Sequence, residues 1–353
     1  MVVNLIKGRL FHILVPVVSV LLGLLIGGII MLVSNYNPIS AYAALIDGIF
    51  GNGYNLGETI RAASPLILSG LAVAFAFRTG LFNIGVEGQL LVGWLASVYV
   101  GIHFDLPKVI HLPFAILAGA AAGALWGVIP GFLKAKFKVH EVITTIMMNY
   151  IALYTTNGII RAYMLAPGER TKDIKESASL ASPWLQQLTE FSRLHYGIVV
   201  AILAAVIMWF ILWKTTTGYE LRAVGFNQHA SQYAGINVSK NIVLAMAISG
   251  AFAGAAGTME GLGTYQYMTI NNAFTGVGFD GIAVSLLGAN GSVGIIIAAL
   301  LFGGLKIGSL TMQSAAGVPT ELVGIVIALI IFFVASSYLI RWLTNRFTKG
   351  GKI

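Results

Sequence analysis

The sequence predicts an all-α, polytopic membrane protein. Three observations carry this: 10% of the residues are charged, 57% are hydrophobic, and the mean hydropathy is +0.86. A soluble domain covers itself with charged side chains at roughly a quarter of its positions, so the composition excludes that class. The charges are also clumped, leaving uncharged runs at 10–46, 109–133, 142–160, 196–213, 241–259, 281–305 and 322–340. Runs of about 18–25 apolar residues cross a hydrocarbon core of roughly 30 Å as helices, and they lack the alternating pattern of a lipid-facing barrel.

In chain order, about ten spans are predicted, at 11–33, 58–78, 84–102, 111–133, 141–163, 196–213, 241–262, 274–290, 293–312 and 321–341. The first run follows Lys7 and Arg9, exceeds a secretory signal core and lacks a small-residue cleavage site, so it reads as a retained helix. With ten spans both termini share one side. That side receives Lys7, Arg9, Arg78, Lys134, Lys136, Lys138, Lys214, Arg222, Lys240, Arg341, Arg346, Lys349 and Lys352, which is 13 basic residues against two acidic ones. The other side has seven basic residues, Arg61 and Arg193 among them, against eight acidic ones. Basic loops stay in the cytoplasm, so the asymmetry places both termini there. It also accounts for the net charge of +8 without nucleic acid.

Between the spans, two polar stretches stand out. The external stretch 164–195 reads as a loop with a short surface helix. The internal stretch 214–240 mixes Leu221, Val224, Tyr233 and Ile236 with polar residues, as an amphipathic helix along the membrane face does. Glycines four apart recur at Gly23/Gly27, Gly119/Gly123/Gly127, Gly250/Gly254, Gly257/Gly261 and Gly304/Gly308, the spacing that lets helix backbones approach. Tyr196, Trp213 and Trp342 near span ends read as interface anchors.

The blocks 58–163 and 241–341 each hold four spans and run in opposite senses, a first and a second repeat. Each contains a Gly-interrupted segment, 77–89 and 272–291. Inverted repeats with broken helices build transport sites near the midplane, and such backbone must be buried in protein or line a cavity. Glu87, Glu260, Asp280 and Lys306 fall within the spans, where a charge is costly unless paired or cavity-facing. The broken segments favour a central role for Glu87 and Asp280.

Enzyme signatures fail. His140 and Glu141 open a zinc-protease-like run, but Thr144 stands where the second histidine is needed. GVGFDG at 276–281 matches a dinucleotide pattern without a βαβ unit around it. The chain has neither a phosphate-binding loop nor a cysteine, so it is expected to carry no catalytic site, metal or cofactor. Energy then comes from an ion gradient or a separate protein.

Four segments together resemble one family: FNIGVEGQ at 82–89, VHEVITTIMMNYIA at 139–152, GYELRAVGFNQHASQYAGI at 218–236 and GFDGIAVSLLGANGSVG at 278–294. They are similar to the permeases of ATP-binding-cassette importers for branched-chain amino acids, ribose-type sugars and nucleosides. The wording and length look most like the larger permease of bacterial guanosine-type nucleoside importers. The resemblance implies a cytoplasmic-membrane complex with a second, different permease, an ATPase that uses the ATP, and a substrate-binding lipoprotein. It implies that the loop 214–240 holds a coupling helix, with Glu220, Arg222 and Asn227 meeting the ATPase and Gly225 and Gly235 turning the chain at the helix ends. For a neutral nucleoside, the expected pathway residues are Asn83, Gln89, Thr144, Asn149 and Asn157, with Glu87 and Asp280. A sugar or amino acid permease is the alternative, followed by a secondary transporter using Glu87, Glu260 or Asp280 for protons.

Overall fold

The computed structural model describes residues 2–335, with side chains from 17 to 334. The side chains of Lys7 and Arg9, together with Arg341, Trp342, Arg346, Lys349 and Lys352, lie outside the described residues.

Helix α1 (Val2–Val33) packs through Gly23 and Gly27 against Ile330 and Val326 of α14 (Thr320–Ala335). The chain then forms α2 (Pro38–Phe50), which the spans predicted from sequence omit. Asn37 caps it, accepting from the Ile39 N–H at 3.0 Å, and Pro38 occupies a position that needs no N–H. At 13 residues, about 20 Å, α2 is too short to cross; it joins the upper ends of α1 and α3 (Gly53–Arg78). Helix α3 is the central element. Its residues from Ala63 to Ala76 are buried without a break, as expected of a helix apolar all round.

Next come α4 (Val86–His103), α5 (Lys108–Phe137) and α6 (Glu141–Ile159), the last closing in a π-helical turn at Ile160–Met164. Residues 165–196 form a cap containing a two-residue antiparallel strand pair, Leu165–Ala166 with Arg170–Thr171, and the short helix α7 (Pro183–Leu188). Helix α8 (Gly197–Lys214) returns to the other end. There α9 (Thr216–Phe226) and α10 (Gln228–Tyr233) gather with Lys134, Lys138, Lys214 and Lys240, making this the basic end. Helix α11 (Val238–Met259) runs back up and ends in a second π-helical turn, Glu260–Thr264. Irregular chain at 265–276 leads to α12 (Val277–Leu287), followed by α13 (Ser292–Ala316) and α14.

The four-spaced glycines lie where helices touch. Gly123 meets the Gly250 carbonyl, Gly254 meets the Gly119 carbonyl, and Gly257 meets the Leu90 carbonyl; a Cβ at any of these would overlap backbone. Helices α4, α5 and α11 are thereby held at backbone contact. Five of the described helices are long and apolar enough to cross a membrane: α3, α5, α8, the continuous helix 238–264, and α13.

Two segments differ from simple spans. The predicted 274–290 crossing contains a helix of 11 residues, about 17 Å, preceded by irregular chain. Helix α4 likewise starts below the surface. Asn83, just before it, donates to Ser249, which lies about 16 Å along α11. Both interruptions fall in the Gly-rich segments; Asn83 and Gly85 before α4 are buried, whereas the chain before α12 is exposed at Asn272 and Ala273 and lines a cavity at Asn271 and Thr275. Charges counted from sequence as solvent-facing are also inside: Glu58 is 3% and Arg61 8% exposed, both within α3.

Candidate functional site

Helix α4 and the short helix α12 meet at Glu87. Its Oε1 accepts from the Thr275 hydroxyl at 2.6 Å and the Gly276 N–H at 3.0 Å, while Oε2 accepts from the Gly278 N–H at 2.6 Å. The first amides of α12 have no partner within the helix, and its positive end favours a carboxylate, so one anion satisfies both demands. Gly276 has φ of +83°, and a Cβ on Gly278 would collide with Glu87. The two glycines therefore allow the tight approach.

Around this clamp, the residues expected on a pathway are occupied with structural bonds. Asn83 donates to Gln89 at 2.9 Å and Ser249 at 2.8 Å and accepts from the Gly85 N–H. Asn149 accepts from the Gly88 N–H and donates to the Ile84 carbonyl. Asn83, Glu87, Gln89 and Asn149 are at most 1% exposed. In this conformation they fasten the start of α4 and do not line the cavity described below. Thr144 bonds back to the Glu141 carbonyl of its own helix. Asn157 pins the 265–276 chain through two bonds to the Asn271 backbone. Asp280 pairs with Lys306 at 3.6 Å.

The open space lies above the clamp, toward the cap. A cavity of about 590 Å³ is walled by α3, α4, the turn 260–264, the chain 265–276, α12 and α13. Trp94 and Tyr265 stack on one side at 5.4 Å between centroids. Arg61, Glu260 and Lys306 supply charge. Glu58 sits behind Arg61 at 2.8 Å and also binds Arg193 of the cap at 2.9 Å. Three acids, Glu58, Glu260 and Asp280, thus face three bases, Arg61, Arg193 and Lys306, and the balance is neutral. The π-helical turn displaces Glu260 from the run of α11, and Gly263 gives way to the ring of His195. His195 lies in the cap and is buried. Burial, with Arg61 nearby, pushes its pKa down to about 3, and its Nδ1 accepts from the Gly197 N–H.

Sequence reasoning weighs Glu260 and Lys306 as mostly structural charges and misses Glu58, Trp94 and Tyr265. A signal was present: Glu58 and Arg61 are one helical turn apart, and an acid and a base so spaced within an apolar run imply a buried pair.

At the basic end, α9 buries Leu221 and Val224 and exposes Tyr219, while Phe226 is 90% and Tyr233 95% exposed. The segment 218–236 is two helices, broken at Asn227, whose side chain caps α10 by accepting from the Ala230 N–H. Tyr233 therefore belongs to the exposed surface, not to a buried apolar face. Gly225 does not turn the chain: it lies inside α9 against the backbone of Arg78 and Thr79. Gly235, with φ of +83°, does turn it after α10. Arg222 lies over Trp213 at 4.2 Å, and Glu220 accepts from Asn241.

Comparison with known proteins places this architecture. A family model for the permease component of the branched-chain amino acid transport system matches residues 55–335. The guanosine ABC transporter permease protein NupP of Bacillus subtilis is 65% identical over 97% of this chain and 99% of its own length. The nucleoside ABC transporter permease protein NupB of Lactococcus lactis is 42% identical over 93% and 92% of the two chains. The glucose ABC transporter permease protein TsgB13 of Haloferax volcanii is 35% identical over 91% and 87%. This multi-pass membrane protein belongs to the branched-chain amino acid transport system permease family.

Proposed function

We propose that the chain is the larger permease subunit of an ATP-driven importer that carries nucleosides, guanosine foremost, across the bacterial cytoplasmic membrane. The near full-length 65% identity to a guanosine permease carries this reading. The cavity supports it, because a nucleoside is neutral, flat at one end and hydroxylated at the other, and the walls offer an aromatic stack and balanced charge.

The basic end faces the cytoplasm, following the distribution of Lys and Arg. The exposed tip of α9 and α10 receives an ATPase subunit. Movement there has a direct route inward: Gly225 rests on Arg78 and Thr79, and Arg78 donates to the Asn290 carbonyl at 3.1 and 3.0 Å. Closure of the ATPase would thus displace the ends of α3 and the α12–α13 turn together. Helices α3–α6 and α11–α14 act as opposed repeats, with the cavity between them open to alternate sides. A second, different permease pairs with this one in the membrane, and a lipoprotein delivers substrate at the cap.

Uptake in proteoliposomes holding the whole complex tests this. Labelled guanosine is expected to accumulate with ATP, to be displaced by nucleosides and not by ribose or leucine, and to survive a protonophore. Accumulation of leucine or glucose alone, or collapse with the protonophore, would replace the reading.

A further inference from the structure

The Glu260 carboxylate is 8% exposed and borders the cavity, yet it lies outside the Glu58 cluster's direct ion pairs. Arg61, Lys306 and Arg193 surround it with positive charge, and Thr264 stands beside it. Thr264 hydrogen-bonds to its side chain and accepts from Arg61 at 3.2 Å, so the carboxylate has one hydroxyl partner and, among the described residues, no base in direct contact. A widened helical turn holds it in place, with Gly261 against Trp94 and Gly263 against His195. At the end of the same turn Tyr265, stacked on Trp94, is still 44% exposed. Trp94 is itself fixed, donating from Nε1 to the Tyr267 carbonyl at 2.9 Å.

We infer that this cavity reads a purine base of the 2-amino-6-oxo type, stacking it on Tyr265 while Glu260 accepts from its N1–H and 2-amino group. This rests on the nucleoside reading above. The edge of such a base presents an acceptor followed by two adjacent donors. A carboxylate accepts two parallel N–H groups, as it does from a guanidinium, and Arg61 and Lys306 supply donors for the 6-oxo group. An adenine edge turns a bare acceptor nitrogen toward the carboxylate, and a uracil or cytosine edge offers no pair of adjacent donors. The pocket therefore discriminates by repulsion as well as attraction. Stacking gives affinity without base identity, since every base has a π-face.

The test uses the complete reconstituted importer and compares initial uptake of guanosine and adenosine. Glu260→Gln replaces one acceptor by a donor, and is expected to lower kcat/KM for guanosine by about 10-fold or more and to raise it for adenosine, whose acceptor N1 then meets an N–H. Tyr265→Ala is expected to lower both. An unchanged guanosine-to-adenosine ratio in Glu260→Gln, whether both rates fall or neither does, overturns the inference while leaving nucleoside transport standing. A wild-type complex that moves no nucleoside overturns the functional reading and this inference with it. Should the Glu260→Gln complex fail to assemble, carbodiimide labelling of the wild type, located by mass spectrometry, serves instead. Guanosine is expected to protect Glu260 and adenosine to leave it reactive; equal labelling with both overturns the assignment.

Discussion

Glu87 and His195 are both buried ionisable residues, with opposite consequences. Glu87 accepts three hydrogen bonds, from Gly278 of α12 and from Thr275 and Gly276 before it, so Glu87→Ala removes the partner of one buried and two half-buried donors. The expected cost is about 3 kcal/mol, read as a lower thermal midpoint of the purified complex, with Glu87→Gln intermediate. His195 is neutral in the folded chain, with its pKa lowered to about 3. The unfolded chain takes up its proton near pH 6.5, so it binds more protons than the folded one between about 6.5 and 3, and stability falls as pH falls through that window. Arg61 and Glu58 face the ring and remain paired, leaving His195 as the group that responds. His195→Gln is expected to flatten the midpoint-against-pH curve between pH 6.5 and 5.

Among the elements, α9 and α10 carry the clearest test. Phe226 projects from the end of α9 with little packing, so Phe226→Asp is expected to leave insertion and fold intact and to abolish substrate-stimulated ATP hydrolysis. Gly225→Leu acts differently, forcing α9 off the end of α3; it is expected to lose both transport and co-purification of the ATPase. The amphipathic pattern grouped Leu221 and Val224, which are buried, with Tyr233, which is exposed, because periodicity cannot see that Asn227 stops one helix and caps the next. Helix α2 was missed because residues 34–57 have no long apolar run, although Asn37–Pro38 is a helix start by cap chemistry. The long spans were legible because lipid demands uniform hydrophobicity. The broken segments were legible because glycine stands where backbone meets backbone.

For the molecule as a whole, the site was less legible than the fold. Glu58 meets Arg193, 135 positions away, and the spacing of either residue does not reveal the other. Asn83 and Asn149, amides suited to a solute, bond in this conformation to the residues that open an interrupted helix. Polarity in an apolar run marks a buried demand for hydrogen bonds, and geometry alone tells which group has made it. The clamp itself limits how the transporter can move. A buried carboxylate tied to two amides and a hydroxyl at the edge of the cavity lets go and re-forms within a transport cycle only at a cost. Spin labels on α4 and α12 should therefore keep one separation in nucleotide-free and nucleotide-bound complexes, while labels pairing either helix with α8 shift. The pair would travel as a single piston, its stroke set by neighbours that slide past it.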